Sequence, residues 1–367
     1  MILVSASSSF QDISRIETDL ACLGTNRGKV GGIVPSMRVV AIGGGTGLST
    51  VLRGLKLHVA EVARPARRRP VIKRLTAVVT VTDEGGSSGR LRRDFRILPP
   101  GDIRNCLVAL AEDEKLMTQI FNYRFARGHG LKGHSLGNLF LAALTHQTGD
   151  FAKAVRLSSE VLAIRGEIFP STLSDVRLKA RLRGGRVVYG ESSITRTRTP
   201  IRRLHIVPSR CRPLPETLAA IEAADLITLG PGSLYTSLIP NLLVEGIPQA
   251  IRRSKATKVF VCNLMTQPGE TRGYTASDHL CAIEAHVGGR LFDYVILNNA
   301  APSRRIERRY AAERAEPVAN DFDRIRECGV EPVMARLLVE ERVVRHDSGR
   351  LAQLLLGLAG PRKPHFS

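Results

Sequence analysis

The chain contains no tryptophan, five methionines and only 5% aromatic residues, so the stacking platforms on which single-stranded nucleic acids commonly rest are scarce. Its six cysteines, Cys22, Cys106, Cys211, Cys262, Cys281 and Cys328, are scattered without a CxxC pair, which speaks against zinc and against a disulfide framework. They are expected to be reduced and mostly structural. No window supplies the roughly 20 consecutive apolar residues that a membrane helix requires. The opening MILVSASSSF has too short an apolar part and no basic leader for a signal peptide, so a cytoplasmic location is expected. Acidic residues are also few, 34 against 54 Lys and Arg, for a net charge of +20. Summed positive charge is how phosphate backbones are bound. Much of the excess, however, falls in loops such as RPARRRPVIKR (Arg64 to Arg74) and RTRTPIRR (Arg196 to Arg203), and nucleic acid is not expected as the main ligand.

What the chain does have is length and a core: 367 residues, 43% hydrophobic, suit one large α/β domain or two ordinary ones. Residues 1–36 carry no sustained period and read as a flexible extension. From Val39 the pattern becomes strand, glycine turn, helix, with RVVAI apolar enough for a buried parallel strand and LSTVLRGLK following as a helix. LTAVVTV (Leu75 to Val81), ADLITL, KVFV and DYVILNN supply further strands. Helices are expected over GDIRNCLVALAE, with Asp102 as N-cap, over EKLMTQIFNYRF, over LFLAALTHQ and around DHLCAIEAH. In VRLKARLRGGRVVYG, Val176, Leu178, Ala180 and Leu182 alternate and Gly184-Gly185 suits a two-residue hairpin turn. The expected architecture is therefore a mainly parallel, helix-covered sheet over 37–347, with an antiparallel insertion at about 174–208 and a tail over 348–367. Ligands of such sheets sit beyond the carboxyl ends of the strands, where every glycine-rich motif of this chain falls.

Gly43-Gly44-Gly45-Thr46-Gly47-Leu48 is the first of these motifs. Glycines let backbone amides approach a phosphate and the helix start adds a favourable dipole. The third glycine position of the dinucleotide fingerprint holds Leu48, and no Lys-Ser/Thr follows as in a Walker loop. A structural turn is the competing reading, and phosphate contact the better one. In VTDEGGSSGRLRRDF, Asp83 stands where a ribose-binding acid is often found, Gly85, Gly86, Ser87, Ser88 and Gly89 can form a second anion nest, and Arg90 offers a phosphate-matching fork. A divalent ion such as Mg2+ at Asp83 and Glu84 is the weaker reading, because neighbouring carboxylates on a strand point to opposite faces. GHSLG (Gly133 to Gly137) fits the G-x-S-x-G pattern of a nucleophilic serine, but FARGHGLK before it is no strand. His134, Ser135 and Asn138 are expected instead to open a helix facing the crevice. GPGSLYTS (Gly230 to Ser237) could hold another anionic or sugar group, against the alternative of a Pro-Gly turn with Ser233 as a cap. Asn263, Thr266 and Gln267 are neutral groups of the kind that select sugars or bases, and His279 is assigned no chemistry. No triad order, metal cluster or general-base pair emerges.

Taken together, IGGGTGLS, VTDEGGSSGRLR, PPGDIRN, GHSLGN, RGEIFPST, GESSI, ITLGPGSLYTS, PNLLVEGI, VCNLMTQPGET and GYTASDHL closely resemble the YvcK-like gluconeogenesis factor family, a branch of the CofD-like superfamily that includes 2-phospho-L-lactate transferase. The resemblance runs from about Arg38 to about His346. It implies a Rossmann-like core, binding of a UDP-sugar such as UDP-N-acetylglucosamine, and a regulatory role joining carbon metabolism to cell-envelope synthesis and cell shape. The superfamily's alternative is transfer of a phosphate-bearing group from an activated nucleotide to an acceptor hydroxyl. Carried over by position, the implied contacts are Gly44, Gly45, Thr46 and Gly47, then Asp83 with Gly85 to Arg90, with Asn138, Ser233, Tyr235 and Asn263 lining the rest and Arg345 of VVRHD completing the site. Glu84 replaces the second Asp of the family's DDGGSSG, which weakens a metal role there. The arginine-rich stretch near 64–74 and the long N-terminus have no counterpart in the pattern. Regulatory protein partners and a homo-oligomer are left open.

Overall fold

The computed structural model describes residues 36–59 and 72–359. The N-terminal extension and most of the arginine-rich 64–74 stretch lie outside the described residues. A seven-stranded sheet organises the chain, built from β1 (Met37–Gly43), β2 (Ile72–Val79), β3 (Glu167–Pro170), β7 (Leu226–Leu229), β8 (Thr257–Val261), β9 (Tyr294–Asn298) and β10 (Glu331–Ala335), in the order β10-β9-β8-β7-β1-β2-β3. Every pairing is parallel. Strands covered on both faces need continuous apolar runs. Val39 to Ile42, Ala77 to Val79 and Val259 to Val261 are buried accordingly. The fold is the Rossmann-like α/β arrangement expected.

The helices that frame the site and its supports are α1 (Gly45–Lys56), α2 (Gly86–Phe95), α3 (Gly101–Leu110), α4 (Leu136–Thr148), α5 (Ala276–Val287), α6 (Arg304–Ala312) and α7 (Ser348–Leu358). Helix α1 buries Leu48, Val51, Leu52 and Leu55, the i, i+3, i+4, i+7 spacing of one helical face. Its Gly54 lies so close to the Ser348 carbonyl that a Cβ would collide with it. Leu351 and Leu355 of α7 are fully buried, each worth about 1.5–3 kcal/mol of apolar burial. Residues 348–358, read from sequence as tail, thus pack on the same core as the strands.

The antiparallel insertion is a separate three-stranded sheet of β4 (Arg177–Leu182), β5 (Val187–Tyr189) and β6 (Ile201–Val207), in the order β5-β4-β6. Gly184 and Gly185 both have positive φ, 87° and 90°, as the two-residue turn needs. Leu178, Ala180 and Leu182 face inward, buried with Leu204 and Ile206. The remaining strands, β11 (Leu338–Glu340) and β12 (Val344–His346), form a hairpin. Cys106, Cys211 and Cys262 are buried free thiols, and the sulfurs of Cys281 and Cys328 are 3.9 Å apart. Among the described residues no helix is long and apolar enough to cross a membrane.

Candidate functional site

The strand order turns at β1 and β7: from β1 the chain proceeds to β2 on one side, from β7 to β8 on the other. Connections that diverge in this way leave a crevice at the strands' carboxyl ends. A cavity of about 330 Å3 opens there, walled by Gly44 to Gly47 and Thr50, by Pro231 to Ser233 and Ser237, by Asn263 to Gln267, and by Tyr310 with Val344 to His346.

Helix α1 enters this cavity bare. Gly44 at its N-cap makes no side-chain cap and the first turn holds no acidic residue. Gly45 takes a left-handed φ of 60°, where a side chain would be strained. Its N–H donates to the carboxyl of Asp102 in α3, which burial, reinforced by the charge of Asp83, pushes up to a pKa of about 7. The next amides and the positive helix end are left to a ligand. Gly47 must lack a side chain, because a Cβ would strike the Pro231 carbonyl of the facing loop.

That facing loop is held rigidly. Asn263 accepts from the Gly232 N–H at 3.0 Å and donates to its carbonyl at 2.8 Å. Gln267 donates to Ser233 Oγ at 2.8 Å, and its own buried side-chain oxygen has no partner among the described residues. Below, buried Glu270 accepts from Tyr235 N and Thr236 Oγ1, each at 2.7 Å, and burial pushes it up to about 7. Across the cavity Arg345 is loosely held by Glu341 at 3.4 Å. His346 is buried against the Cys262 carbonyl, and burial lowers its pKa to about 4, so it is neutral at pH 7.

The second glycine loop is arranged differently. Asp83 Oδ1 accepts from Gly85 N at 2.8 Å. Ser87 Oγ meets His134 Nδ1 at 2.9 Å, and Asn138 Nδ2 donates to Ser87 Oγ at 3.1 Å. Arg104 donates to Ser135 Oγ at 2.7 Å and to Asn138 Oδ1 at 3.0 Å. Arg90 donates to the Lys132 carbonyl at 2.7 Å. Ser135 is wholly buried as the N-cap of α4, accepting from Asn138 N, so GHSLG is a helix start and not a nucleophile turn.

The expected site residues therefore divide. Gly44, Gly45, Thr46, Gly47, Ser233, Asn263 and Arg345 converge on the cavity. Asp83, Gly85, Gly86, Ser87, Ser88, Gly89, Arg90 and Asn138 do not line it; they form the neighbouring network at the starts of α2 and α4. Tyr235, expected in the crevice, is 2% exposed with its hydroxyl 2.8 Å from that of Tyr274, because the helical turn Leu234–Leu238 directs it inward. Ser233 makes no capping hydrogen bond there. Asp102 occupies the first turn of α3, after Pro100 as N-cap, and serves the glycine loop instead of its own helix. His279 is buried in the core, its ring nitrogen 2.8 Å from the Thr275 carbonyl. Tyr310 and Glu270 were missed, and a tyrosine inside RRIERRYAA carries no local signal. A dedicated metal centre does not fit: among the described residues no three His, Cys, Asp or Glu are placed to hold an ion. Asp83 and Asp102 suit at most an ion shared with a ligand phosphate.

The family model described as 2-phospho-L-lactate transferase CofD matches residues 39–338. The chain belongs to that family. A protein of Nostoc sp. (strain PCC 7120) is 52% identical over 322 residues, covering 87% of this chain and 68% of its own. The gluconeogenesis factor of Bacillus subtilis (strain 168) is 46% identical over 322 residues, 88% of this chain and 98% of that one. The crystal structure of a UPF0052 family member from Bacillus halodurans superposes with a TM-score of 0.81 at 46% identity, covering 88% of this chain and 99% of the other. The family match spans the strands and loops that build the cavity, apart from the β12 wall bearing Arg345.

Proposed function

We propose that the protein binds a UDP-sugar of the UDP-N-acetylglucosamine type at the β1/β7 crevice and acts as a cytoplasmic regulatory protein, a gluconeogenesis factor that links carbon metabolism to cell-envelope synthesis and cell shape. The observation that carries this reading is the bare start of α1 facing Arg345 across a cavity of about 330 Å3. Amides at a helix start and a guanidinium on the opposite wall suit a diphosphate. Asn263 and Gln267 add neutral hydrogen-bonding groups, and the Asp83 to Arg90 loop, reached through Asp102, flanks the sugar end. The gluconeogenesis factor name of a relative at 46% identity supports the regulatory role. Calorimetric titration with UDP-N-acetylglucosamine, with and without Mg2+, tests it. Saturable binding with intact ligand recovered by mass spectrometry is expected, and absence of binding overturns the reading.

The family's transferase description favours a second reading, since Asp83 and Asp102 stand beside the anion-binding loop. A nucleoside monophosphate appearing during the same titration would establish turnover. Intact nucleotide with every acceptor offered would count against it.

A further inference from the structure

The outer face of the β4-β5-β6 sheet collects positive charge in a way that folding alone does not explain. Register pairs Arg181 with Arg203 and Lys179 with His205, like with like. Directly opposed like charges destabilise a sheet. No ion pair among the described residues involves Arg177, Lys179, Arg181 or Arg203. The crowding is felt by His205, whose pKa is lowered by partial burial and then by Arg203, Lys179 and Arg181. On the other side of the cationic strand stands Tyr189, 60% exposed, across from Lys179 and within 5.8 Å of its ammonium. Arg203 donates to the Ala285 carbonyl and Lys179 lies over the Tyr189 ring, but no carboxylate among the described residues neutralises the row. Like charges aligned without a counter-charge point to something external.

We infer that this face binds single-stranded nucleic acid, with Arg177, Lys179 and Arg181 along successive phosphates, Arg203 beside Arg181 on the neighbouring strand, and Tyr189 beneath a base. Alternate strand residues lie about 6.5 Å apart and point to one side, giving an extended row of cations. Guanidinium forks match phosphate oxygens, and an exposed tyrosine face accepts any base. An acidic peptide would use the charge but not the ring. This inference is independent of the nucleotide-sugar reading, because none of these residues lines the crevice.

The test is fluorescence anisotropy of the full chain with a labelled RNA of about 20 nucleotides, read against salt. Four phosphate contacts give a slope of about −2.8 in log affinity against log salt, a loss of roughly fifty-fold between about 50 and 200 mM. Lys179→Gln/Arg181→Gln/Arg203→Gln should reduce the slope's magnitude by about 2. Tyr189→Ala should weaken binding about fivefold or more at fixed salt. Removing the same number of charges from the exposed arginines of α6, as Arg304→Gln/Arg305→Gln/Arg308→Gln, should leave the slope nearly unchanged. Equal losses from both triple variants would mean diffuse charge only, and overturn the inference. So would absence of RNA binding, or polyglutamate competing as well as RNA while Tyr189→Ala is neutral. Thermal melting of each variant confirms that the fold is intact.

Discussion

Two glycine loops of this protein begin from nearly the same sequence signal and end in opposite states. Both follow a buried parallel strand and both open a helix, at Gly45 and at Gly86. Neither helix start has a side-chain cap, but the first stands open on a cavity whose facing wall is a loop and an arginine. The second is closed, with Ser87 engaged by His134 and Asn138, and Arg90 turned to a carbonyl. Glycine after a strand creates donors, but whether they stay available depends on which neighbours fold over them. Buried polar groups are satisfied internally wherever a partner is in reach.

Four experiments would break or sharpen this contrast, from the largest expected effect down. Gly47→Ala forces a Cβ against the Pro231 carbonyl. It should destabilise the protein by about 1–3 kcal/mol in denaturant titration and abolish nucleotide-sugar binding, and normal binding would show that the two loops do not need to touch. Arg345→Gln should weaken binding by about 1.5–3 kcal/mol, roughly 10- to 150-fold in calorimetry, while leaving stability within about 0.5 kcal/mol. An unaltered affinity would move the anion away from the open loop.

Glu270 gives the open site a titratable buttress. Its carboxyl is raised by burial to about 7, so the folded protein holds a proton that the unfolded chain releases near the ordinary glutamate value. Stability from this group is therefore present at low pH and falls as pH rises from about 4.5 through 7, by about 2 kcal/mol between pH 5 and 7. Glu270→Gln should flatten that slope in urea midpoints measured across the range, and an unchanged slope would show that Glu270 is ionised throughout. Asn138→Ala, in the closed loop, should cost about 1–2 kcal/mol of stability by stranding Ser87 and Arg104. Binding should change less than with Arg345→Gln; the reverse ranking would make the closed loop the principal ligand site.

Much of the architecture was legible in the chain. The run Val39 to Ile42 reads as a doubly covered strand, and Val176, Leu178, Ala180 and Leu182 with Gly184-Gly185 read as one arm of a hairpin. Its two-residue period and turn chemistry are local properties. Less local features were misread: Asp102 has the composition of a cap, yet its carboxyl belongs to a loop fifty-odd residues earlier. Tyr235 follows a glycine-rich turn as a ligand residue might, yet the turn's helical twist takes it inward. Residues 348–358 look like an appendage until Gly54 shows where α7 docks.

The sequence by itself determined the elements, the glycine loops at strand ends and the excess of positive charge, because periodicity, turn residues and charge are properties of short stretches. Only the tertiary structure decided which loop stays open and where the cations align. Strand order brings β1 beside β7 across almost two hundred residues, and register places Arg181 opposite Arg203. Neither pairing is encoded in any segment alone; each follows from which buried faces the whole chain can cover at once.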